Sequence, residues 1–141
     1  MSPFAIISAV IERLKVASDA AEQLKDITGE VNGALRKLGA SGGICQVFVP
    51  HTTAGLVVNE NADPDVCIDM LTWLEEVVPQ SHPFRHAEGN SPAHIKATLV
   101  GQSATLPLDG GRLALGTWQG IFLAEFDGPR QRTVIVNVVG A

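Results

Sequence analysis

Apolar positions along the chain change period several times, and each change marks an element. From Asp26 onward Ile27, Val31, Ala34, Leu35 and Leu38 recur at helical spacing, with Thr28 as the candidate cap and Gly39 as the stop. Gly42-Gly43 then release an apolar strand over residues 44–49. After Asp63-Pro64, an N-cap followed by proline in the first turn, the residues Cys67, Met70, Leu71, Leu74, Val77 and Val78 mark one helical face that Pro79 ends. Glu75 and Glu76 fall on the solvated side of that helix. Ser91-Pro92 repeats the cap-and-proline signal and predicts a short helix over residues 92–99, stopped at Gly101. The last forty residues read as strands: 104–108 and 112–115 around Asp109-Gly110-Gly111, then 121–126 and 133–139 around Asp127-Gly128-Pro129-Arg130. Residues 1–25 carry two readings. Ala5, Ile6, Ile7, Val10, Ile11 and Leu14 form a helical stripe, whereas Ile11, Arg13 and Lys15 against Val10, Leu14 and Val16 alternate as a strand that Ser18-Asp19 would end. The pattern is α+β: a mainly antiparallel sheet with helices gathered on one side.

Between the strand at 44–49 and the helix after Asp63 lies the run Pro50-His51-Thr52-Thr53-Ala54-Gly55-Leu56-Val57-Val58-Asn59-Glu60-Asn61-Ala62-Asp63-Pro64-Asp65. Leu56, Val57 and Val58 bury its middle, so an imidazole, hydroxyls, amides and carboxylates at its ends are held on rigid backbone, where functional side chains are best positioned. The site is expected here.

The totals narrow the classes. A chain of 141 residues with 45% apolar and 18% charged residues is one ordered domain with an ordinary core. A net charge of -5 with no basic run disfavours a nucleic-acid partner. No stretch approaches a membrane span, the apolar start lacks a basic leader, and a cytoplasmic protein is expected. Cys45 and Cys67 sit in apolar patterns and read as buried, reduced thiols.

His51, His86 and His94 fall beside turns or helix starts, and no two of these three have the i, i+4 spacing that places two ligands on one helical face. A metal site would have to be assembled in three dimensions, three imidazoles and a water suiting zinc; otherwise the rings are hydrogen-bonded structural groups. His82, in a polar loop, reads as surface. Carboxylates near His51 could orient an imidazole or act as a base, although Asp63 is better explained as a cap. Thr52 and Thr53 have no base at motif spacing, so no threonine nucleophile is expected. Trp118 fills the core or lines a pocket, and Gln119 between Trp118 and Gly120 points to a pocket contact. Asp127-Gly128-Pro129-Arg130 is a turn first, and Arg130 and Arg132 could grip a phosphate or carboxylate.

Taken together, His51-Thr52-Thr53-Ala54-Gly55, the segment 59–65, His86-Ala87-Glu88-Gly89-Asn90, Ala93-His94-Ile95, Gly116-Thr117-Trp118-Gln119 and Glu125-Phe126-Asp127-Gly128-Pro129-Arg130 closely resemble the YjbQ family. The likeness runs in order from about Asp26 to Gly140, and residues 1–141 are expected to form a single YjbQ-like domain. The resemblance implies a sandwich-like α+β fold assembled as a homotrimer, an initial strand near residues 9–18, and a polar pocket with His51, His86 and His94 as the three family histidines. It also implies a secondary thiamine-phosphate synthase activity. Within that reading Glu60, Gln119 and Arg130 are the candidate catalytic residues. Thr52, Thr53, Asn59, Asn90, Trp118 and Arg132 are the candidate substrate contacts. The three histidines hold a divalent metal, zinc by ligand type, with magnesium entering if the substrate is a diphosphate. The partner is then a small anionic or phosphorylated molecule, and metal-assisted hydrolysis is chemically as natural as synthase chemistry. The alternative is a non-catalytic trimeric module holding a ligand or metal. Arg85 stands where the family pattern often has an aromatic residue, and the chain has no tyrosine at all, which leaves the substrate open.

Overall fold

Strand β1 (Ser8–Ala17) alternates as the strand reading requires, with Leu14 and Val16 turned to the core and Ile11, Arg13 and Lys15 away from it. It pairs antiparallel along its length with β8 (Gln131–Gly140). The computed structural model describes residues 8–140, and Ala5, Ile6 and Ile7 of the alternative helical stripe lie outside the described residues. Beyond β8 the sheet continues through β3 (Gly43–Phe48), β5 (Ser103–Asp109) and the short β6 (Arg112–Leu113), in the order β1-β8-β3-β5-β6. Leu108 faces Leu113 and Asp109 faces Arg112, so the hairpin loop is Gly110-Gly111 alone. Both loop residues have positive φ (57° and 79°), the conformation a two-residue hairpin demands and glycine supplies.

A second sheet of three strands, β2 (Gln23–Asp26), β7 (Gln119–Glu125) and β4 (Ala54–Glu60), stacks on the first in the order β2-β7-β4. The middle of the central run is therefore a strand paired with β7. Leu56 and Val58 enter the main core, and Val57 faces the other way. Val47, Val49, Leu123, Val134 and Val136 fill the space between the sheets. Helix α1 (Thr28–Leu38) closes that core with Val31, Ala34 and Leu35, ending at Gly39 in the left-handed region. Helices α2 (Pro64–Val77) and α3 (Ser91–Val100) cover the far side of the three-stranded sheet, where Leu71, Leu74, Ala93 and Ala97 meet Leu24, Val57 and Ala124. All three helices thus lie on one side of the five-stranded sheet.

Four local expectations change. Thr28 is the first residue of α1 rather than its cap. Its hydroxyl donates to Asp26 Oδ1 (2.7 Å) and accepts the Ile121 N–H (2.9 Å), a tertiary bond to β7 that displaces the local one. Asn90, not Ser91, holds the N-cap position of α3, without a side-chain cap bond. The apolar face of α2 is only half covered, and Val77 is 47% exposed. Glu75 is not purely solvated: its carboxylate and that of Glu22 receive Lys96 Nζ at 2.5 and 2.7 Å, under α3. Burial of Lys96 pulls its pKa down, and the bonds from the two carboxylates outweigh this and leave it raised. Asp63 caps α2 as expected, accepting the Asp65 N–H at 2.9 Å.

The thiols differ from one another. Cys45 is fully buried and burial pushes its pKa up to about 11, whereas Cys67 is half-buried and raised less sharply by burial and by Asp26. Thiolate fraction sets reactivity. A thiol reagent should therefore titrate Cys67 slowly in the native protein and Cys45 only after denaturation; rapid labelling of Cys45 in the folded state would contradict this packing.

Candidate functional site

Three of the six connections that carry the chain between the sheets are β1 to β2, β3 to β4, and β7 to β8. They meet at one end of the sandwich and bond to each other. Ser18 N–H donates to the Arg130 carbonyl (3.0 Å), Phe126 N–H to Thr53 (3.2 Å) and Gly128 N–H to Ala21 (3.0 Å). The end of α3 joins them, its Gly101 carbonyl accepting the Leu56 N–H at 2.9 Å. Gly55 permits that approach, since a Cβ there would stand 2.5 Å from the Gly101 oxygen.

Glu125 is the hub of this corner. Its fully buried carboxylate accepts the Ser18 hydroxyl (2.6 Å), Arg132 Nε (2.8 Å) and the Asp127 N–H (3.1 Å), and Arg132 Nη2 reaches its second oxygen. Arg132, 3% exposed, also donates to the Thr53 hydroxyl (2.8 Å) and carbonyl (3.3 Å). Burial drives the Glu125 pKa up, but the bonds from Arg132, Ser18 and the Asp127 amide prevail and hold it below the ordinary glutamate value.

On this frame sits His51, half-buried, its Nε2 accepting the Thr133 N–H at 2.9 Å. That bond assigns the neutral ring's proton to Nδ1. Burial lowers its pKa, and the Arg132 charge lowers it further against the pull of Glu125. His51 and Thr52 share a hollow of about 490 Å³ with His94 and Thr98 of α3, Gln102 and Phe48. His86 lies beyond His94, and their rings meet edge-on, 5.4 Å between centroids at 90°. A neighbouring hollow of about 340 Å³ lies between His86, Phe84, His94 and Ile95. Asn90 Nδ2 donates to Asp127 Oδ2 (3.0 Å), to which Arg130 Nη2 also reaches (3.3 Å), while Asn90 Oδ1 is buried without a partner. Arg130 lies within electrostatic reach of His51, where its charge also favours the neutral ring.

The structure therefore gathers His51, Thr52, His86, Asn90, His94 and Arg130 at one end. Thr53 and Arg132 belong to the same end but are buried and spent on the frame. Asn59, Glu60, Trp118 and Gln119 stand at the other end of β4, about 20 Å away at 3.3 Å per residue. There Glu60 faces Gln119, Asn59 Oδ1 accepts the Glu60 N–H (2.7 Å), and Gln119 Oε1 accepts the Gly116 N–H (2.8 Å). Trp118 is 63% exposed rather than in the core. Among the described residues no three His, Cys, Asp or Glu side chains are arranged to hold a metal ion as they stand. Glu125 and Ser18 were not anticipated from the sequence, although a carboxylate closing the apolar run 121–126 was a legible signal, because a buried charge requires a partner.

A family model described as "UPF0047 protein YjbQ-like" matches residues 12–141. The chain belongs to the YjbQ family. It is similar to UPF0047 protein MJ1081 of Methanocaldococcus jannaschii, 44% identical across 96% of this chain and 98% of that one. UPF0047 protein YugU of Bacillus subtilis is 46% identical across 93% of this chain and all of its own. Among solved structures, a YbjQ-like protein of unknown function from Sulfolobus solfataricus aligns with a TM-score of 0.91 at 35% identity, covering 96% of this chain and 100% of that one. A YjbQ/UPF0047 family protein from Clostridium acetobutylicum aligns with a TM-score of 0.87 at 48% identity, over 90% of this chain and 98% of its own.

Removing one member of a buried ion pair strands the other. Glu125→Gln should destabilise the protein by about 3 to 5 kcal/mol in denaturant unfolding. Because the Glu125 pKa is lowered on folding, its contribution is present above the ordinary glutamate value of about 4.3 and lost as pH falls below it. The variant should therefore lose part of the wild type's acid sensitivity. Unchanged unfolding at neutral pH would remove Glu125 from its role as hub.

Proposed function

We propose that the histidine corner is a metal-dependent site for a small phosphorylated compound, with thiamine-phosphate synthase chemistry as the named candidate. One observation carries this reading: the perpendicular His86 and His94 rings, 5.4 Å apart. Two imidazoles sharing a tetrahedral zinc, with Zn–N near 2.0–2.1 Å, have ring centres about 5 Å apart. The centroid separation of the pair is close to that distance. His51 would join as third ligand by giving up the Thr133 N–H, its lowered pKa already favouring the neutral ring that ligation needs. Nitrogen donors suit zinc better than magnesium. The ion would supply charge neutralisation to the phosphate and its leaving group. Arg130, about half exposed, supports the recognition of an anion beside the pocket, and the free Asn90 Oδ1 offers an acceptor to a substrate N–H or O–H. Joining a pyrimidine diphosphate to a thiazole phosphate and hydrolysing a phosphate ester both fit these groups. The His51–Thr133 bond favours a second reading, a non-catalytic binding module in which His51 is structural.

Assembly as a homotrimer is supported by the outer face of the five-stranded sheet. Ile11 and Ile44, 45% and 46% exposed, share that face with Phe48, Ile135 and Val139 around Asn137, whose Oδ1 is buried without a partner. Among the described residues no helix covers it, and this apolar patch, with Arg13 and Lys15 toward the β1 edge, fits a second copy of the chain. Reduced thiols fit a cytoplasmic setting, and no described helix is long and apolar enough to cross a membrane.

Elemental analysis after dialysis against zinc tests the metal. His86→Ala and His94→Ala should each lose most of the bound ion, His82→Ala should keep it, and binding should weaken as pH falls below about 6.5. Stoichiometric zinc in both His86→Ala and His94→Ala would remove the site. Retained zinc in His51→Ala, with no turnover of phosphate esters or thiamine precursors by the wild type, would favour the binding module.

Light scattering should return about three chain masses, and Ile135→Asp should shift the species toward one. A wild-type monomer at micromolar concentration would overturn the trimer.

A further inference from the structure

At the end of the five-stranded sheet opposite the histidines, α1 and the β5–β6 hairpin enclose a cleft of about 430 Å³. Asn32 and Arg36, one turn apart on α1, line one wall, and Arg112, Leu113 and Leu115 line the other. The cleft shares no lining residue with either hollow beside His94. Phe48 faces Ser103 near the histidines and Gly43 faces Leu108 near this hairpin, which places the two sites roughly 20 Å apart along the strands.

Two features distinguish this cleft from ordinary basic surface. Neither guanidinium forms an ion pair or donates a hydrogen bond among the described residues, although Asp109 lies directly opposite Arg112 in the hairpin register. The Asn32 amide is likewise without a bond there. In a chain of net charge -5, two uncompensated arginines from different elements converge on one space. The backbone spacing between them is also set by packing. Gly111, at φ 79°, presses the hairpin tip onto the segment after α1, so that a Cβ there would stand 2.5 Å from the Ala40 carbonyl oxygen. Leu113 and Leu115 anchor the same segment in the main core. Binding then orders the two exposed side chains but not the backbone that carries them.

The geometry points to a second ligand site, in which Arg36, Arg112 and Asn32 bind the phosphate of a small organic phosphomonoester while Leu113 and Leu115 receive its apolar part. Two guanidiniums match the charge of roughly -1.5 to -2 on a phosphomonoester near neutral pH better than the single charge of a carboxylate. This site is independent of the histidine corner and of whatever reaction occurs there.

Phenyl phosphate is a suitable probe, followed by amide NMR on the full chain. The expected result is a saturable shift of the Asn32, Arg36, Arg112 and Leu113 amides. Phenol at the same concentrations should leave them in place. Arg36→Ala and Arg112→Ala should each weaken binding at least about tenfold. Arg36→Lys and Arg112→Lys, which keep the charge but lose the fork, should fall between those variants and the wild type. His94→Ala should leave the affinity unchanged. The same spectra report whether each variant is folded, and the lysine variants keep the test open if an alanine variant is not. Shifts that do not saturate, that are confined to His51 and His94, or that survive both alanine variants would overturn the assignment.

Discussion

The Glu125–Arg132 pair joins the two sheets at the end where the histidines lie. Glu125 ends a strand of the three-stranded sheet and Arg132 begins one of the five-stranded sheet, with Ser18 and Thr53 tied to the same two side chains. A carboxylate and a guanidinium taken out of water cost several kcal/mol each, and only a full set of bonds offsets that cost. Every acceptor position on Glu125 that the fold supplies a donor for is filled. The arrangement contributes less to net stability than to specificity: four chain segments have to arrive in one register for the charges to be satisfied together.

That constraint is transmitted to the histidines. Thr53 follows His51 by two residues and Thr133 follows Arg132 by one, so fixing Arg132 against Thr53 fixes both partners of the His51–Thr133 bond. α3 brings His94 to the same corner because Gly55 lets its end approach β4, and Lys96 on the helix beneath holds α2 and the β1–β2 connection through Glu75 and Glu22. The imidazoles thus sit on a frame made of one buried ion pair, Glu125–Arg132, and a buried lysine paired with two partly exposed carboxylates.

The polar groups of the central run are divided by its strand. His51 and Thr52 stand at one end of β4 and Asn59 and Glu60 at the other, and Trp118 and Gln119 join the latter through the β4–β7 pairing. A single copy of the chain does not bring both groups to one ligand. The bare outer face of the five-stranded sheet passes beside the histidine hollow at Phe48, so any copy seated on that face lies next to the site.

Local rules were enough to place the helix ended by Gly39, the helix capped by Asp63, the glycine hairpin and the last two strands, because each is specified by periodicity and turn chemistry within a few residues. Motif order was enough for the family, and it pointed to His51, His86 and His94, which the structure gathers at one end. What residues do to one another across the chain was decided only by the tertiary structure. Arg132 reads as a grip for a phosphate or carboxylate until β8 pairs with β1 and turns it inward onto Glu125, and Glu75 reads as solvated until α3 delivers Lys96 to it. Trp118 reads either as core or as pocket lining, and the structure leaves it exposed where β7 begins. Ion pairs between residues 7 and 74 positions apart follow from sheet order and helix docking, which no local pattern encodes, because the charge of a side chain fixes that it needs a partner and only the fold chooses which one.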